Sequence, residues 1–286
     1  MPLSAMLFAL LTIAMWSFLA TLGALLRHVP PFLLVGVALC VGGLIGLPQW
    51  RCWFVPWRTF AVGVYGLFGY HFLLFVAFQH APAVEANLMN YLWPLLIVTL
   101  SPLFLPGFHL QARHVLGALV GMSGAALIVS GGQFSLDVGN LAGYLLAAGA
   151  AFVWSSYSLL SKRLPPFPTA AVGAFCLVSG MLSLGVYGLQ AALDGQVYLP
   201  TASDWLYLTL LGLGPMGLAF FTWDAALKRG DPRIIGALAY LTPLASTLLL
   251  VAIGGRTLTW VSVVAMVLIL AGAVIGSWNL IKEGAA

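Results

Sequence analysis

Residues 3–26 read LSAMLFALLTIAMWSFLATLGALL and contain no charged side chain. Because the hydrocarbon core of a bilayer is about 30 Å thick, about 20 apolar residues in a helix suffice to cross it. The stretch is also too long for the apolar region of a secretory signal, which has about 7 to 15 residues and follows a basic flank. The sequence therefore predicts that residues 3–26 form a membrane-spanning helix that stays in the protein.

The whole chain shares the character of this first stretch. Of its 286 residues, 62% are hydrophobic and 6% are charged, whereas an average soluble domain has about 25% charged residues. This composition excludes a soluble globular protein. A membrane β-barrel would show short segments of alternating polarity, but the apolar runs here are long and continuous. Helices are therefore expected, because a helix satisfies its backbone hydrogen bonds within the segment.

Charged residues and Pro/Gly clusters divide the chain into ten apolar segments. The expected fold class is an all-α integral membrane protein with ten transmembrane helices, numbered 1 to 10 in chain order. The predicted spans are 3–26, 31–47, 59–79, 83–105, 113–131, 140–161, 169–192, 205–227, 234–253 and 258–281.

The basic residues fall mainly on one of the two sides that ten spans define. With the N-terminus inside, the outer loops hold only Arg27 and Arg256. The other nine are Arg51, Arg58, Arg113, Lys162, Arg163, Lys228, Arg229, Arg233 and Lys282. Because cytoplasmic loops collect Lys and Arg, this distribution predicts that both termini are cytoplasmic. It also accounts for the net charge of +4, so no nucleic-acid partner is expected.

Several motifs recur about half a chain apart, at offsets of 138, 149 and 148 residues. They are Trp16-Ser17 with Trp154-Ser155, Tyr91-Leu92-Trp93-Pro94 with Tyr240-Leu241-Thr242-Pro243, and Gly124-Ala125-Ala126-Leu127 with Gly272-Ala273-Val274-Ile275. The expected units are residues 1–137 and 138–286, with five helices each. Because five is odd, the second unit enters the membrane upside down, and such inverted repeats bind their substrate near the bilayer midplane.

These features resemble a known family. The two halves of five helices, the Trp-Ser and Tyr-x-x-Pro motifs and the Gly-rich helices 5 and 10 look like the drug/metabolite transporter superfamily, EamA type. The runs Tyr70-His71 and Asn90-Tyr91-Leu92-Trp93-Pro94 are similar to those of the bacterial aromatic amino acid exporters of the YddG type. The resemblance to the superfamily covers the whole chain, and the resemblance to the exporters rests on these runs. It implies a multi-pass transporter of the bacterial cytoplasmic (inner) membrane.

Helix 4 carries the first group of candidate substrate-binding residues. Asn87, Asn90, Tyr91 and Pro94 are spaced i, i+3, i+4 and i+7 and share one helix face. Neutral amides, together with the carbonyl that Pro94 frees one turn back, can replace the hydration of a zwitterion. Trp93 belongs to the same group. In the alternative interpretation, the asparagines join helices and Pro94 is only a kink.

Helices 3 and 6 carry the second group. Tyr70 and His71 lie in helix 3 among glycines, and an intramembrane histidine is either a functional group or a hydrogen-bonded structural one. Trp154 and Ser158 share a face of helix 6, with Lys162 at its inner end. These residues are candidates for contact with the substrate, and Lys162 is alternatively an ordinary basic residue of the inner side.

The repeat supplies the remaining candidates. Trp16 is the counterpart of Trp154, and Tyr240 is the counterpart of Tyr91. Both are expected to contact substrate. Pro94 and Pro243 occupy matched positions, and Pro215 interrupts helix 8 between glycines. We interpret these three prolines as hinges for alternating access, although prolines also occur in rigid membrane helices.

Polar recognition is expected mainly in the first half of the chain. At the offset of 149 residues, the counterparts of Tyr70, His71, Asn87 and Asn90 are Ala219, Phe220, Gly236 and Ala239. The second half is therefore expected to contribute mainly an aromatic and apolar wall and the hinges. The candidate cavity then holds almost no formal charge, which favours a net-neutral substrate. The predicted function is export of neutral amino acids, preferentially aromatic or large ones, by alternating access.

Two other functions remain as alternatives. An exporter of quaternary ammonium or drug-like cations, or of other metabolites, would cage its substrate with aromatic residues, but a cation favours a carboxylate at mid-span. An intramembrane serine protease would use Ser123 in Gly121-Met122-Ser123-Gly124, with His71 as its base. Because the sequence places no carboxylate at mid-span, transport is expected to be either facilitated or coupled to protons through His71.

No cofactor or metal is expected. The three cysteines are scattered without a ligand spacing, and the chain has no phosphate-binding loop. The sequence therefore indicates no ATPase subunit, and the expected partners are the amino acid substrate and the lipid bilayer.

Overall fold

The computed structural model describes residues 1–133, 137–252 and 259–284, with side chains described except at position 250 and from position 277 onward. Within these residues the chain forms helices and no β-strand. In the first half, α1 comprises Leu3–Trp16 and Leu19–Leu25, α2 Pro31–Leu44, α3 Trp57–Val64, Tyr65–Gly69 and Tyr70–His80, α4 Ala83–Asn90 and Leu92–Phe104, and α5 Ala112–Ser130. In the second half, α6 comprises Leu141–Arg163, α7 Val172–Asp194, α8 Ala202–Leu213, Gly214–Leu218 and Ala219–Arg229, α9 Pro232–Ala239 and Leu241–Ala252, and α10 Trp260–Gly284.

In the described residues, eight of these helices are long and apolar enough to cross a membrane, or nine if a bent pair counts as one span. The bent pair is α2 with the 3₁₀ helix Leu47–Trp53, which turn by 89° relative to each other. The predicted span 31–47 is therefore too long. Leu47 precedes Pro48, and a residue before proline is disfavoured in the α conformation. Arg256 and the side chain of Lys282, both used in the charge argument, lie outside the described residues.

The helices are interrupted at matching places in the two halves. α3 contains a π-helical segment at Tyr65–Gly69 and α8 contains one at Gly214–Leu218, 149 residues apart. α4 is interrupted at Tyr91 and α9 at Tyr240, with the same separation. The repeat in the sequence therefore corresponds to interruptions at equivalent positions in the helices of the two halves.

Each of the two interruptions lies three residues before a proline. Pro94 and Pro243 therefore fall in the first turn of a new helical segment. A proline is tolerated there because the missing N–H would have no partner within the helix. The prolines thus decide where α4 and α9 restart.

Glycines bring two pairs of helices into close contact at the flanks of the bundle. A Cβ atom on Gly117 of α5 would lie 2.6 Å from the backbone nitrogen of Gly276 in α10, and one on Gly272 would lie 2.5 Å from that of Gly121. Likewise, a Cβ on Gly180 of α7 would lie 2.8 Å from the backbone nitrogen of Cys40 in α2. The GxxxG spacings Gly117–Gly121 in α5 and Gly272–Gly276 in α10 therefore lie at a close contact between these helices. The other six helices surround the cavity described next.

Candidate functional site

A cavity of about 650 Å³ lies inside the bundle. Its wall comes from α1, α3, α4, α6, α8 and α9, with a few residues around the start of α2. The candidate residues selected from the sequence belong to the same six helices. The aromatic part of the lining consists of Trp16, Tyr70, Phe75, Phe78, Tyr91, Trp93, Trp154 and Phe220. Eight of the 26 lining residues are therefore aromatic.

The cavity is open at its mouth and closed at its floor. Gly23, Arg27 and Ala83, which are all exposed, lie at the end where α1 finishes and α4 begins. At the opposite end, the cavity stops at three buried tryptophans, Trp16, Trp93 and Trp154. The cavity is therefore closed toward the end of the bundle where α6 and α8 finish.

The floor is a cluster of four tryptophans from four different helices. Trp16 of α1, Trp93 of α4, Trp154 of α6 and Trp223 of α8 form all six pairwise contacts, with ring centroids 5.1 to 6.5 Å apart. Most of the pairs meet edge to face or tilted, which is the arrangement that aromatic quadrupoles favour. The cluster joins two helices from each half of the chain, so it can separate only if the halves move apart.

Two of these indoles are fixed by hydrogen bonds. Trp16 Nε1 donates to the carbonyl oxygen of Pro215 at 3.1 Å, which is a backbone group of the π-helical segment in α8. Trp223 Nε1 donates to Ser158 Oγ on α6 at 3.1 Å. A buried indole N–H needs such a partner, so these bonds set the orientation of the rings.

Uncharged polar atoms line the cavity above this floor. Asn90 Nδ2 donates to the hydroxyl of Tyr70 at 3.1 Å. Asn90 Oδ1 is buried and has no hydrogen-bond partner among the described residues, and the same holds for Thr242 Oγ1. His71 Nδ1 lies 2.7 Å from the carbonyl oxygen of Leu67. Because a carbonyl only accepts, Nδ1 carries the hydrogen and Nε2 of the neutral ring is an acceptor.

The lining carries very little formal charge. Among the described lining residues, Arg27 at the mouth is the one full charge, and none is a carboxylate. Asn90 Oδ1 and His71 Nε2 are acceptors in a wall that is mostly aromatic and aliphatic, so the site can accept hydrogen bonds from an ammonium group without binding it as an ion pair. Neutral acceptors hold a cationic group less tightly than a buried carboxylate would.

The structure brings most of the predicted site residues together. Those that line the cavity are Trp16, Tyr70, His71, Asn87, Asn90, Tyr91, Trp93, Trp154 and Pro215. Those that do not line it are Ser158, Lys162, Tyr240, Pro94 and Pro243. Ser158, Lys162 and Tyr240 each have another role in the structure. Ser158 accepts a hydrogen bond from Trp223, so it supports one indole of the floor.

Tyr240 is buried beside the break in α4. Its hydroxyl donates to the carbonyl oxygen of Tyr91 at 3.2 Å and accepts from the backbone N–H of Leu95 at 3.1 Å. These two groups are four residues apart and would bond each other in a continuous helix. The hydroxyl therefore takes the place of the backbone hydrogen bond that the break removes.

Lys162 belongs to a polar layer at the closed end. Its Nζ donates to the carbonyl oxygens of Leu227 and Gly230, both at 2.7 Å, and so caps the end of α8. Beside it, Asp224 is buried, forms an ion pair with Lys228 at 2.6 Å and accepts from Thr169 Oγ1 at 2.7 Å. This layer lies beyond the tryptophan floor and reinforces the closure.

The structure adds lining residues that the sequence did not select. Phe75, Phe78, Met216, Thr242 and Ser246 all contribute to the wall. Thr242 and Ser246 are polar groups from the second half, so polar recognition is less one-sided than expected. Trp223 was missed because its counterpart in the repeat is Leu74 and it is one of ten tryptophans in the chain.

The residues of the protease alternative lie apart. Ser123 is on an exposed face of α5, where its Oγ donates to the carbonyl oxygen of Leu119. His71 is buried on the cavity wall, and the lining does not include Ser123. The structure therefore does not bring Ser123 to the cavity that His71 lines.

Comparisons with known proteins agree with this architecture. The EamA-like transporter family matches residues 3–130 and again residues 141–278. The aromatic amino acid exporter YddG of Ancylobacter novellus is 41% identical over 283 residues, covering 96% of this chain and 97% of that protein. The aromatic amino acid exporter YddG of Salmonella typhimurium is 26% identical, covering 86% of this chain and 87% of that protein. A solved crystal structure superposes with a TM-score of 0.90 at 40% identity and covers 96% of each chain.

Proposed function

The chain belongs to the EamA-like transporter family, and from this premise we propose that it exports neutral amino acids, preferentially aromatic or large ones, from the cytoplasm. It is a transporter of the bacterial inner membrane, with at least eight apolar helices of spanning length in its described part. The proposal takes its substrate class from two sources, the cavity and the two relatives, which are both named aromatic amino acid exporters.

The observation that carries the proposal is the chemistry of the cavity wall. It presents eight aromatic side chains, neutral hydrogen-bond acceptors and, within the described lining, no carboxylate. An aromatic substrate would stack on rings such as Trp154 and Phe220, whose own centroids lie 5.6 Å apart, and offset or edge contacts of this kind contribute about 0.5–1.5 kcal/mol each beyond area burial. The α-ammonium group would donate to Asn90 Oδ1 and His71 Nε2.

The proposed direction follows from the shape of the cavity. If both termini are cytoplasmic, as the distribution of basic residues predicts, the mouth near Arg27 faces outward and the tryptophan floor faces the cytoplasm. The described state is then the one that releases substrate outside. Opening to the cytoplasm would require separation of Trp16 and Trp93 from Trp154 and Trp223.

The matched helix defects support movement of the two halves against each other. α3 and α8 carry π-helical segments, and α4 and α9 are broken before Pro94 and Pro243. Such breaks are where membrane helices absorb changes in backbone angle, since neighbouring groups can satisfy the freed backbone atoms. We therefore propose that alternating access occurs by rocking about these breaks, with Pro215 in the π-helical segment of α8 as a third hinge.

Exporters of quaternary ammonium cations remain the alternative within the same class. Aromatic walls suit such cations, but a permanent cation cannot donate the hydrogen bonds that Asn90 Oδ1 and His71 Nε2 accept. The neutral acceptors therefore favour a primary ammonium group.

The proposal is tested by uptake into proteoliposomes. The purified protein is offered a panel of labelled amino acids together with a lipophilic cationic dye. We expect saturable uptake of Phe, Tyr and Trp that exceeds uptake of Ala and Asp. Trp154→Ala is expected to lower the rate about tenfold, which corresponds to the loss of roughly 1.4 kcal/mol of stacking.

The matched control is Trp260→Ala. Trp260 is exposed at the start of α10 and does not line the cavity, so this variant should transport as the unaltered protein does. Uptake of the dye without uptake of any amino acid would assign the protein to the cation exporters. An equal loss in both tryptophan variants would remove the assignment of the cavity as the substrate site.

A further inference from the structure

The segment between α2 and α3 leaves the direction of the bundle. Residues 47–58 read LPQWRCWFVPWR, and their 3₁₀ helix Leu47–Trp53 is turned by 89° from α2. If α2 crosses the bilayer, as its apolar sequence predicts, a right-angle turn directs this helix along the membrane surface. The segment lies at the closed end of the bundle, where it packs against the turn Thr169–Ala171.

One side of this segment is fixed to the protein. The indole of Trp53 is half-buried, and its Nε1 lies 3.1 Å from the positions that Cβ atoms on Gly46 and Gly173 would take. The missing side chains of these two glycines thus leave the room that the indole fills. Trp53 holds the segment in place and defines which face points away.

The face that points away is aromatic. Trp50, Phe54 and Trp57 are 50%, 81% and 74% exposed. Large rings exposed together are unfavourable in water, but Trp is enriched at the membrane–water interface, where its apolar ring and its N–H are both accommodated. The face therefore suits the headgroup region of a bilayer.

Two guanidinium groups accompany these rings. The Cζ of Arg51 lies 5.9 Å from the ring centroid of Trp50, and that of Arg58 lies 5.8 Å from that of Trp57. Neither arginine has an ion pair or a hydrogen bond to another described residue, and the first acidic residue in the chain is Glu85.

Two other basic residues at this end are engaged by the protein itself. Lys228 pairs with Asp224 and Arg233 pairs with Asp231. Burial alone would raise the pKa of Asp231, but its hydrogen bonds with Arg233 and the charge of that arginine hold the pKa below its usual value. Arg51 and Arg58 have no such carboxylate, so their charge is available to a phosphate group.

We propose that residues 47–58, named here the Arg–Trp segment, bind the headgroup of an anionic phospholipid. Arg51 and Arg58 contact its phosphate oxygens, and Trp50 and Trp57 lie beside them at the level of the glycerol backbone. A basic residue near an anionic membrane surface contributes about 1 kcal/mol. The site is separate from the substrate cavity, whose lining contains none of these residues.

The test measures lipid binding by the full-length protein in detergent. Phosphatidylglycerol or phosphatidylcholine with the same acyl chains is titrated, and the thermal unfolding temperature reports binding. Phosphatidylglycerol is expected to stabilise the protein more than phosphatidylcholine does. Arg51→Gln and Arg58→Gln are each expected to weaken the apparent affinity for phosphatidylglycerol about fivefold, which corresponds to about 1 kcal/mol.

The matched control is Arg163→Gln, which removes an exposed arginine at the end of α6. This variant should keep the affinity for phosphatidylglycerol within about twofold. Arg51→Lys and Arg58→Lys retain the charge and should recover part of the binding. Equal stabilisation by the two lipids, or an equal loss in Arg163→Gln, would overturn the proposal. Because the readout is lipid binding, the result is independent of which substrate the protein transports.

Discussion

The hydroxyl of Tyr240 donates to the carbonyl oxygen of Tyr91, although the two tyrosines are 149 residues apart and are counterparts in the repeat. It also accepts from the N–H of Leu95, so one side chain of the second half completes the broken hydrogen bond of a helix in the first half. Tyr91 itself lines the cavity. The two equivalent tyrosines therefore have different roles, because Tyr91 lines the cavity and Tyr240 bridges the break in α4.

Tyr240→Phe removes the group that bridges the break in α4. We expect a loss of about 1 kcal/mol in the free energy of unfolding, because two buried backbone groups lose a partner. Transport should also slow, since Asn90 and Trp93 lie on either side of this break. Thermal unfolding and uptake in proteoliposomes measure the two effects.

Tyr187→Phe is the matched control for that variant. The hydroxyl of Tyr187 bridges the N–H and the carbonyl oxygen of Tyr198 in the same manner, but Tyr187 does not line the cavity. This variant should lose similar stability and keep its transport rate. If both variants transport normally, Tyr240 does not position the break.

Ser158→Ala tests whether Ser158 supports Trp223 or binds the substrate directly. The change leaves Trp223 Nε1 without its acceptor, so the free energy of unfolding is expected to fall by about 1–2 kcal/mol. The KM for the substrate should change by less than about twofold, because Ser158 does not line the cavity. Ser183→Ala, whose hydroxyl bonds only within its own helix, should be nearly neutral. A large rise in KM with unchanged stability would instead make Ser158 a direct substrate ligand.

Gly272→Ala tests the contact between α5 and α10. The added Cβ would lie 2.5 Å from the backbone nitrogen of Gly121, and a backbone atom cannot move aside without shifting its helix. We expect a loss of about 1–3 kcal/mol in the free energy of unfolding. Gly188→Ala in α7, where nothing lies within 4 Å of the new Cβ, should be neutral or stabilising. Similar melting temperatures for the two variants would contradict the packing argument.

The variant His71→Ala distinguishes facilitated transport from proton-coupled transport. The described lining has no carboxylate and His71 is bonded to a backbone carbonyl, so we expect facilitated transport whose rate is insensitive to a pH gradient. His71→Ala should then lower substrate affinity without creating or removing any dependence on the gradient. Stimulation of the unaltered protein by a pH gradient, lost in His71→Ala, would show coupling through this histidine.

Much of the helical order is encoded locally. The helix bounds predicted from the long apolar runs, from the prolines and glycines between them and from the motif offsets are close to those in the structure. The reason is that the membrane requires each spanning segment to satisfy its own backbone hydrogen bonds. The span 31–47 extends three residues beyond the end of α2 at Leu44, and beyond Gly46 the chain is held by a contact of Trp53 with Gly173. That contact joins parts of the chain more than 100 residues apart.

The candidate site was predictable where a residue type is unusual in a membrane helix. Asn90, His71 and Trp154 stood out because amides, histidine and mid-span tryptophan are rare there, and all three line the cavity. Phe75 and Met216 did not stand out, because an apolar residue looks the same whether it faces lipid, another helix or a cavity.

The residues alone identify this chain as a bundle of membrane helices with two related halves and an almost uncharged interior. Which of two equivalent residues reaches the cavity depends on the packing of the helices. Tyr91 does and Tyr240 does not, and Trp223 completes a floor that no repeat predicts. The physical reason is that a motif fixes the backbone near it, whereas the surroundings of a side chain depend on neighbours supplied by distant helices.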